Sequence, residues 1–276
     1  MLTGREAVVS AGLDAVALKP AECDVTRAGE LPVDRVTIDY EGREHLPDAD
    51  ALDRVADETT LYVTTPVRAD GFDPLGDDSL LNRLPDGARR VLVAGHGAYL
   101  TDEESSRAVA PRIGAARRDA PDAWVGTEGV ERVALAAGGT QFELLSRSTV
   151  RDVRALRAAG FEGEVAVYAP TVLTDDEDAV LDAVGAYVSR RRPVARALPG
   201  EPRSDGGTGN GADAGGTPPT DSAATGRTRE VLSAAARDFA LVGSPETVRE
   251  RVDDLREAGV DHVVGYPARG IDEFLS

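Results

Sequence analysis

Several residues that could bind a cofactor directly follow short apolar segments of the sequence. Gly95-His96-Gly97 comes after the segment RVLVA. A histidine between two glycines is accessible to a ligand, and its charge changes close to neutral pH. A loop histidine without a partner would give the same pattern, so both interpretations stay open.

A glycine-rich turn offers a second candidate. Gly126-Thr127-Glu128-Gly129 follows the segment AWV and precedes the helical pattern ERVALAAGG. Glycine lets the backbone approach a ligand closely, and the first N–H groups of a helix can bind phosphate. Glu128 works against this, because its carboxylate repels an anion and itself favours the helix start. A purely structural turn therefore stands beside the cofactor hypothesis.

Residues with hydroxyl or cationic side chains lie at the ends of other apolar segments. Thr64 and Thr65 close one of them, where they could meet a polar cofactor, and Arg269 follows the last one. In barrel enzymes the loops after strands seven and eight often bind phosphate, which an arginine can pair with. Lys19, the only lysine, allows a Schiff-base hypothesis. The neighbouring Pro20 and a solvent-facing loop explain its position more simply.

These residues need strands to position them, and eight segments have the composition of buried strands. Valine, isoleucine, tyrosine and threonine are frequent in them, as expected for a pleated and buried backbone. The predicted strands are Asp14–Leu18, Arg35–Asp39, Thr60–Thr65, Arg90–Ala94, Ala123–Gly126, Gln141–Leu145, Glu164–Ala169 and His262–Tyr266.

A short repeat predicts how the strands are connected. LRAAGF leads into VAVYAP, LREAGV leads into HVVGYP, and AGLDAV leads into ALKP. Each is a helix end, a glycine stop and a buried strand, and Ser244-Pro245 marks the start of one such helix. Parallel strands require crossover helices. Eight strands in 276 residues predict a single α/β domain, a (β/α)8 TIM-type barrel spanning residues 1–276.

One segment departs from this alternation. Residues 199–228 are dominated by Gly, Pro, Ser, Thr and Asp and contain almost nothing apolar. A chain of this composition cannot bury enough surface to fold. We predict a disordered insertion, since helix and strand patterns resume after it.

The net charge of −18 excludes nucleic acid and anionic membranes as expected partners, because both are polyanions. Acidic residues spread along the whole chain with a single lysine are typical of a halophilic, acidic protein. Cys23 is the only cysteine, which excludes an internal disulfide, and with three histidines we expect no metal site. No signal peptide or membrane segment is expected, which predicts a cytoplasmic protein with a small-molecule substrate. A homo-oligomer stays open.

The C-terminal segments FALVGSPETV (239–248) and AGVDHVV (258–264) resemble the closing part of luciferase-like monooxygenases and deazaflavin-dependent oxidoreductases. Within that superfamily they are most similar to the methylenetetrahydromethanopterin reductases. WVGTEG, followed by an alanine-rich helix and FELL, resembles the middle section of the same families.

The resemblance implies a barrel that binds FMN or the deazaflavin coenzyme F420. Such an enzyme transfers hydride between cofactor and a small organic substrate, with a one-carbon pterin as one option. By position, the resemblance places Thr64 and Thr65 along the ring and Gly95-His96-Gly97 against its face. It places Gly126, Thr127 and Gly129 at the phosphate-bearing tail, and it assigns no catalytic residue.

Two alternatives remain from the sequence. The region between the fourth and fifth predicted strands, Leu100–Asp122, is short, and few residues precede Gly12. A catalytically degenerate barrel, acting as a binding or regulatory protein, would explain both features. The other alternative is a lyase or isomerase that uses Lys19 or Asp39 with a phosphate site at Arg269.

Overall fold

The computed structural model describes residues 3–42, 44–67, 83–94, 109–126, 138–199 and 219–275. Nine strands lie in these ranges: β1 (Ala15–Leu18), β2 (Arg35–Ile38), β3 (Thr60–Val67), β4 (Arg89–Ala94), β5 (Trp124–Gly126), β6 (Gln141–Leu144), β7 (Val165–Val172), β8 (Leu241–Val242) and β9 (His262–Pro267).

The helices of the same ranges are α1 (Gly4–Ala11), α2 (Ala49–Glu58), α3 (Val109–Asp119), α4 (Thr149–Ala158), α5 (Glu177–Ser189), α6 (Arg192–Ala197), α7 (Gly226–Phe239), α8 (Pro245–Glu257) and α9 (Asp272–Leu275), with a 3-10 helix at Val25–Glu30. None of them is long and apolar enough to cross a membrane.

Eight parallel strands close into a barrel. The order around it is β1-β2-β3-β4-β5-β6-β7-β9, and β9 pairs back onto β1. The two-residue strand β8 pairs only with the last residues of β7, Thr171 and Val172. The predicted (β/α)8 barrel and all eight predicted strands are therefore confirmed. The predicted helix start at Ser244 is also confirmed, because its side chain accepts a hydrogen bond from the backbone N–H of Thr247.

Side chains of the barrel strands alternate between two apolar layers, as the two-residue period of a strand requires. The outer layer lies between strands and helices and is aliphatic, with buried residues such as Val36, Ile38 and Val167. The inner layer fills the barrel with small and aromatic side chains: Ala15, Ala17, Tyr62, Val91, Trp124, Phe142, Ala166, Tyr168, Val264 and Tyr266. A polar side chain on the inner face near the carboxyl end of a strand therefore faces the barrel mouth at that end.

In the first copy of the sequence repeat, LRAAGF, the arginine holds neighbouring elements together through hydrogen bonds, an arrangement that we call an arginine clamp. Arg157, near the end of α4, donates to the carbonyl oxygen of Gly259 at 2.7 Å and to the carboxylate of Asp261 at 2.6 Å. The same carboxylate accepts the backbone N–H of Val165, the first residue of β7, at 2.8 Å. The clamp thus joins α4 and β7 to the turn that precedes β9.

The second copy makes the same clamp one unit further along. Arg256, near the end of α8, donates to the carbonyl oxygen of Gly12 at 2.9 Å and to Asp14 at 3.0 Å. Asp14 in turn accepts the backbone N–H of Val263 in β9 at 2.8 Å. The repeated clamps hold β7, β9 and β1 at their amino ends and so fix the register of the strands that carry the site.

The C-terminal limit of the predicted disordered insertion needs correction. Helix α7 begins at Gly226, and Thr228 is buried. Before the helix, the backbone N–H of Ser222 donates to Asp182 of α5 at 2.9 Å. Residues 219–228 are therefore ordered despite their polar composition, because a short turn can be held by such bonds. The predicted segment from 200 to 218 lies outside the described residues.

Candidate functional site

Five polar side chains meet at the carboxyl ends of four barrel strands. Lys19 and Glu22 follow β1, Asp39 follows β2, and Tyr168 and Tyr266 lie on the inner faces of β7 and β9. We call these five residues the mouth cluster. In barrels of this type the carboxyl ends of the strands carry the active site. The cluster is therefore the candidate site.

The centre of the cluster is a hydrogen bond between Tyr168 and Asp39. The Tyr168 hydroxyl donates to Oδ2 of Asp39 at 3.1 Å. Burial raises the pKa of Asp39 from 3.8 to about 7, helped by the negative charges of Glu41 and Glu22 and opposed by Lys19 and by this hydrogen bond. Burial and the neighbouring Asp39 also raise the pKa of Tyr168 well above its ordinary value. Asp39 can therefore gain or lose a proton near neutral pH, while Tyr168 keeps its own.

The other side of the cluster is a triangle of Lys19, Glu22 and Tyr266. The Lys19 ammonium lies 3.4 Å from Oε1 of Glu22 and 4.1 Å from the centre of the Tyr266 ring. The Tyr266 hydroxyl donates to the second oxygen of Glu22. The rings of Tyr266 and Tyr168 are nearly parallel, at 12° with centroids 6.3 Å apart. This stack links the triangle to the Asp39 pair.

Backbone hydrogen bonds hold the loops that carry these side chains. The N–H of Asp39 donates to the carbonyl oxygen of Leu18 at 2.9 Å. Glu41 accepts the N–H of Ala21 at 2.9 Å. These bonds join the loop after β2 to the loop after β1, so the acid and the lysine are presented from one rigid edge.

An apolar side chain is accessible beside the cluster. Leu144 is 39% exposed, although most large apolar side chains of the described residues are buried. It lies on the same face of β6 as Phe142 of the inner layer, and its register partner on β7 is Tyr168. The site therefore combines an apolar surface with groups that can exchange a proton and donate hydrogen bonds.

The two threonines predicted along a cofactor ring point to opposite faces of β3. Thr64 shares the inner face with Tyr62, is nearly buried, and accepts the backbone N–H of Tyr40 at 2.6 Å. Thr65 is fully buried on the outer face, where its hydroxyl donates to the carbonyl oxygen of Val63 at 3.3 Å. Consecutive strand residues cannot both face inward. Only the side chain of Thr64 is thus directed toward the site, while that of Thr65 is directed away from it.

Gly126 and Arg269 both lie at carboxyl ends of strands. Gly126 is the buried last residue of β5, and a Cβ atom there would meet the carbonyl oxygens of Leu92 and Phe142 at 3.5 Å, which is ordinary contact. Arg269 follows β9 and pairs with Glu273 at 3.3 Å, with 45% of its side chain exposed. Neither residue touches the mouth cluster in the contacts of the described residues. Gly95, His96, Gly97, Thr127 and Gly129 lie outside the described residues.

Sequence analysis named Lys19 and Asp39 as residues that could take part in a reaction, but it did not identify Tyr168, Tyr266 and Glu22 as site residues. The pattern on β7 held a signal, because Ala166, Tyr168 and Pro170 share one face. A tyrosine on the inner face near the carboxyl end of a barrel strand is a candidate for the site. Its partner could not be inferred, since Asp39 lies 129 positions earlier in the chain.

Comparison with protein families gives one match that covers most of the chain. The sequence profile of DUF7388, a family of unknown function, matches residues 8–274. The chain belongs to this family. No curated protein matches it.

Solved structures similar to this DUF7388 chain include coenzyme F420-dependent tetrahydromethanopterin reductase from Methanopyrus kandleri, with 15% identity, coverage of 95% and 96% of the two chains, and a TM-score of 0.56. An F420-dependent secondary alcohol dehydrogenase in complex with an F420-acetone adduct has 9% identity, coverage of 95% and 96%, and a TM-score of 0.57. The monooxygenase RslO1 from Streptomyces bottropensis has 17% identity, coverage of 95% and 98%, and a TM-score of 0.51. At these identities the likeness establishes a shared fold.

Proposed function

We propose that this chain is a flavin- or deazaflavin-dependent oxidoreductase that transfers hydride between its cofactor and a small organic substrate. The observation that carries the proposal is the Asp39–Tyr168 pair at the carboxyl end of the barrel, where the pKa of Asp39 is raised to about 7. Reduction of a carbonyl or imine by hydride requires a proton for the heteroatom, and such a carboxyl group can supply it. Two of the structurally similar proteins are F420-dependent, which supports the cofactor class.

The described residues fit a flavin-like ring. Leu144 offers an accessible apolar surface, and Tyr168 is its neighbour on the adjacent strand. Thr64, Asp39 and Lys19 offer hydrogen-bonding groups of the kind that the polar edge of such a ring needs. At the last strand, the ion pair of Arg269 is exposed enough for a phosphate to compete with Glu273. The cofactor, when bound, would supply hydride chemistry, while the protein provides orientation and a proton.

In this mechanism Asp39 is the acid in the reductive direction. Its protonated carboxyl group donates to the substrate heteroatom as negative charge develops there. The Tyr168 hydroxyl, which donates to Oδ2 at 3.1 Å, then stabilises the carboxylate that remains. In the oxidative direction the same carboxylate accepts the proton of a substrate hydroxyl or amine group. Among small organic substrates, a one-carbon pterin is the option that the C-terminal likeness favours.

A single-turnover experiment tests the assignment. Protein saturated with oxidised F420 is mixed with propan-2-ol, or protein saturated with reduced F420 is mixed with methylenetetrahydromethanopterin, and the visible absorbance of the coenzyme is followed as a function of pH. Loss of a positioned acid or base lowers a rate by about 10²- to 10⁴-fold, so we expect Asp39→Asn to fall in that range. Tyr168→Phe should retain activity and shift the pH at which the rate changes.

A rate in Asp39→Asn equal to that of the wild type, with the same pH profile, would rule out the proposed role of Asp39. Failure of FMN and F420 to bind would favour the degenerate barrel instead. The control is Asp53→Asn, which removes a carboxylate from the exposed face of α2. It should leave the rate unchanged.

A further inference from the structure

Lysine is nearly absent from this chain, and the one that is present lies in the mouth cluster. Of the 31 lysine and arginine residues, Lys19 alone is a lysine. A lysine ammonium is a compact point charge, whereas an arginine guanidinium is planar and more weakly hydrated. Because arginine supplies every other cationic side chain of this protein, the lysine at position 19 indicates a specific electrostatic role.

The ammonium is held from two directions. Glu22 contacts it at 3.4 Å, and the face of the Tyr266 ring lies 4.1 Å below it. Glu22 is itself fixed, because its other carboxylate oxygen accepts the Tyr266 hydroxyl. The charge therefore has a defined position at the end of β1.

Asp39 follows the neighbouring strand at the same level. Leu18 and Ile38 are register partners, so the residues that come next, Lys19 and Asp39, leave β1 and β2 side by side. The loops are joined there by the bond from the N–H of Asp39 to the carbonyl oxygen of Leu18. Both side chains reach inner-face tyrosines that stack on each other.

We propose that Lys19 is a positioning residue whose ammonium, held by Glu22 and Tyr266, controls together with Glu22 how readily Asp39 releases its proton. Among the residues that the structure describes, the groups that face Asp39 are the cation of Lys19, the carboxylates of Glu22 and Glu41, and the Tyr168 hydroxyl. Lys19 favours the charged carboxylate, while Glu22 and Glu41 disfavour it. The catalytic meaning of this control rests on the proposed function, but the proton on Asp39 can be measured without any cofactor.

The test is a ¹³C NMR titration of the aspartate carboxyl carbons in the full-length protein without added cofactor. Asp39→Asn identifies the Asp39 signal by its loss. A nearby charge shifts a carboxyl titration by about 1 to 3 pH units. We expect Lys19→Met to raise the midpoint of Asp39 by about one unit, and Glu22→Gln to lower it. Lys19→Arg, which retains the charge, should shift it less than Lys19→Met.

The control is Arg249→Met, which removes a cation that pairs with Asp253 on the exposed side of α8. It should leave the midpoint unchanged. The titration is run at the lowest salt concentration in which circular dichroism shows a folded protein, because salt screens the interaction.

An unchanged midpoint in Lys19→Met, or a raised one in Glu22→Gln, would overturn the proposal. The rise expected in Lys19→Met is the more telling result, because a general loosening of the buried site would lower the midpoint instead. If Lys19→Met does not fold, Glu22→Gln still tests the proposal through the direction of its shift. A shifted midpoint combined with an unaffected rate in Asp39→Asn would instead count against the proposed function and leave the electrostatic control in place.

Discussion

Replacing Asp39 by asparagine should stabilise the protein at high pH and leave its stability nearly unchanged at low pH. The pKa of Asp39 is about 7 in the folded protein, against an ordinary value of 3.8. Below pH 3.8 the Asp39 carboxyl group is protonated in both the folded and the unfolded state, so the stabilisation of the neutral group is fully present. Between these two values only the folded state holds the proton, and stability falls as pH rises. Above 7 the contribution is lost. Asparagine has no proton to lose and escapes this dependence.

The size of the effect follows from the two pKa values. Each pH unit in the window changes the free energy of unfolding by about 1.4 kcal/mol. From about pH 5 to about pH 8 the wild type should lose roughly 2.5 kcal/mol relative to Asp39→Asn, most of it below about pH 7. Asparagine can still accept the Tyr168 hydroxyl through its carbonyl oxygen, so the variant should keep the contact seen at 3.1 Å.

Urea unfolding of both proteins in molar potassium chloride, at about pH 5 and about pH 8, measures this difference. Asp53→Asn serves as the control, because it removes a carboxylate from the exposed face of α2. A stability difference between wild type and Asp39→Asn that is the same at both pH values would refute the reasoning. It would mean that Asp39 titrates like an exposed aspartate and is not the buried acid of the site.

Two further predictions concern the scaffold. Arg157→Leu should lower the free energy of unfolding by about 1.5 to 3 kcal/mol, the usual range for hydrogen bonds to a charged group, because it removes the guanidinium that donates to both Gly259 and Asp261. Urea unfolding measures this loss, and a value below about 0.5 kcal/mol would show that the pair is solvated instead. Dilution to millimolar salt should expand or unfold the chain, because the Debye length grows and its net charge of −18 repels itself. Native circular dichroism retained at low salt would contradict the halophilic interpretation.

The strands could be predicted because parallel barrel strands are buried on both faces. Such strands read as continuous apolar runs between glycines and prolines, as VAVYAP and HVVGYP do. The same logic failed for residues 219–228, where a short polar turn is fixed by a tertiary bond between Ser222 and Asp182. Composition reports how much apolar surface a segment can bury, but it does not report bonds to distant residues.

The site was only partly predictable for a related reason. The carboxyl ends of strands could be located, so Lys19, Asp39 and Thr64 were recognised as candidates. Whether a strand side chain points into or out of the barrel depends on its place in the alternating pattern. This alternation puts Thr64 on the inner face and Thr65 on the outer face. The pKa of Asp39 is raised by burial and is lowered in part by the hydrogen bond from Tyr168, 129 positions away. No local pattern carries that information.

The central claim is that the mouth of the barrel binds a flavin-like cofactor beside Asp39. The most direct measurement is a fluorescence titration of the full-length protein with F420 and with FMN in molar potassium chloride. It should compare the wild type with Leu144→Asp and Val9→Asp, since both replaced side chains are exposed, at 39% and 59%.

We expect saturable binding of one coenzyme to the wild type and to Val9→Asp, which changes an exposed side chain of α1. Leu144→Asp should lose it, because a charge replaces the apolar surface beside Tyr168. Absence of saturable binding to the wild type, or equal binding to Leu144→Asp, would contradict the account.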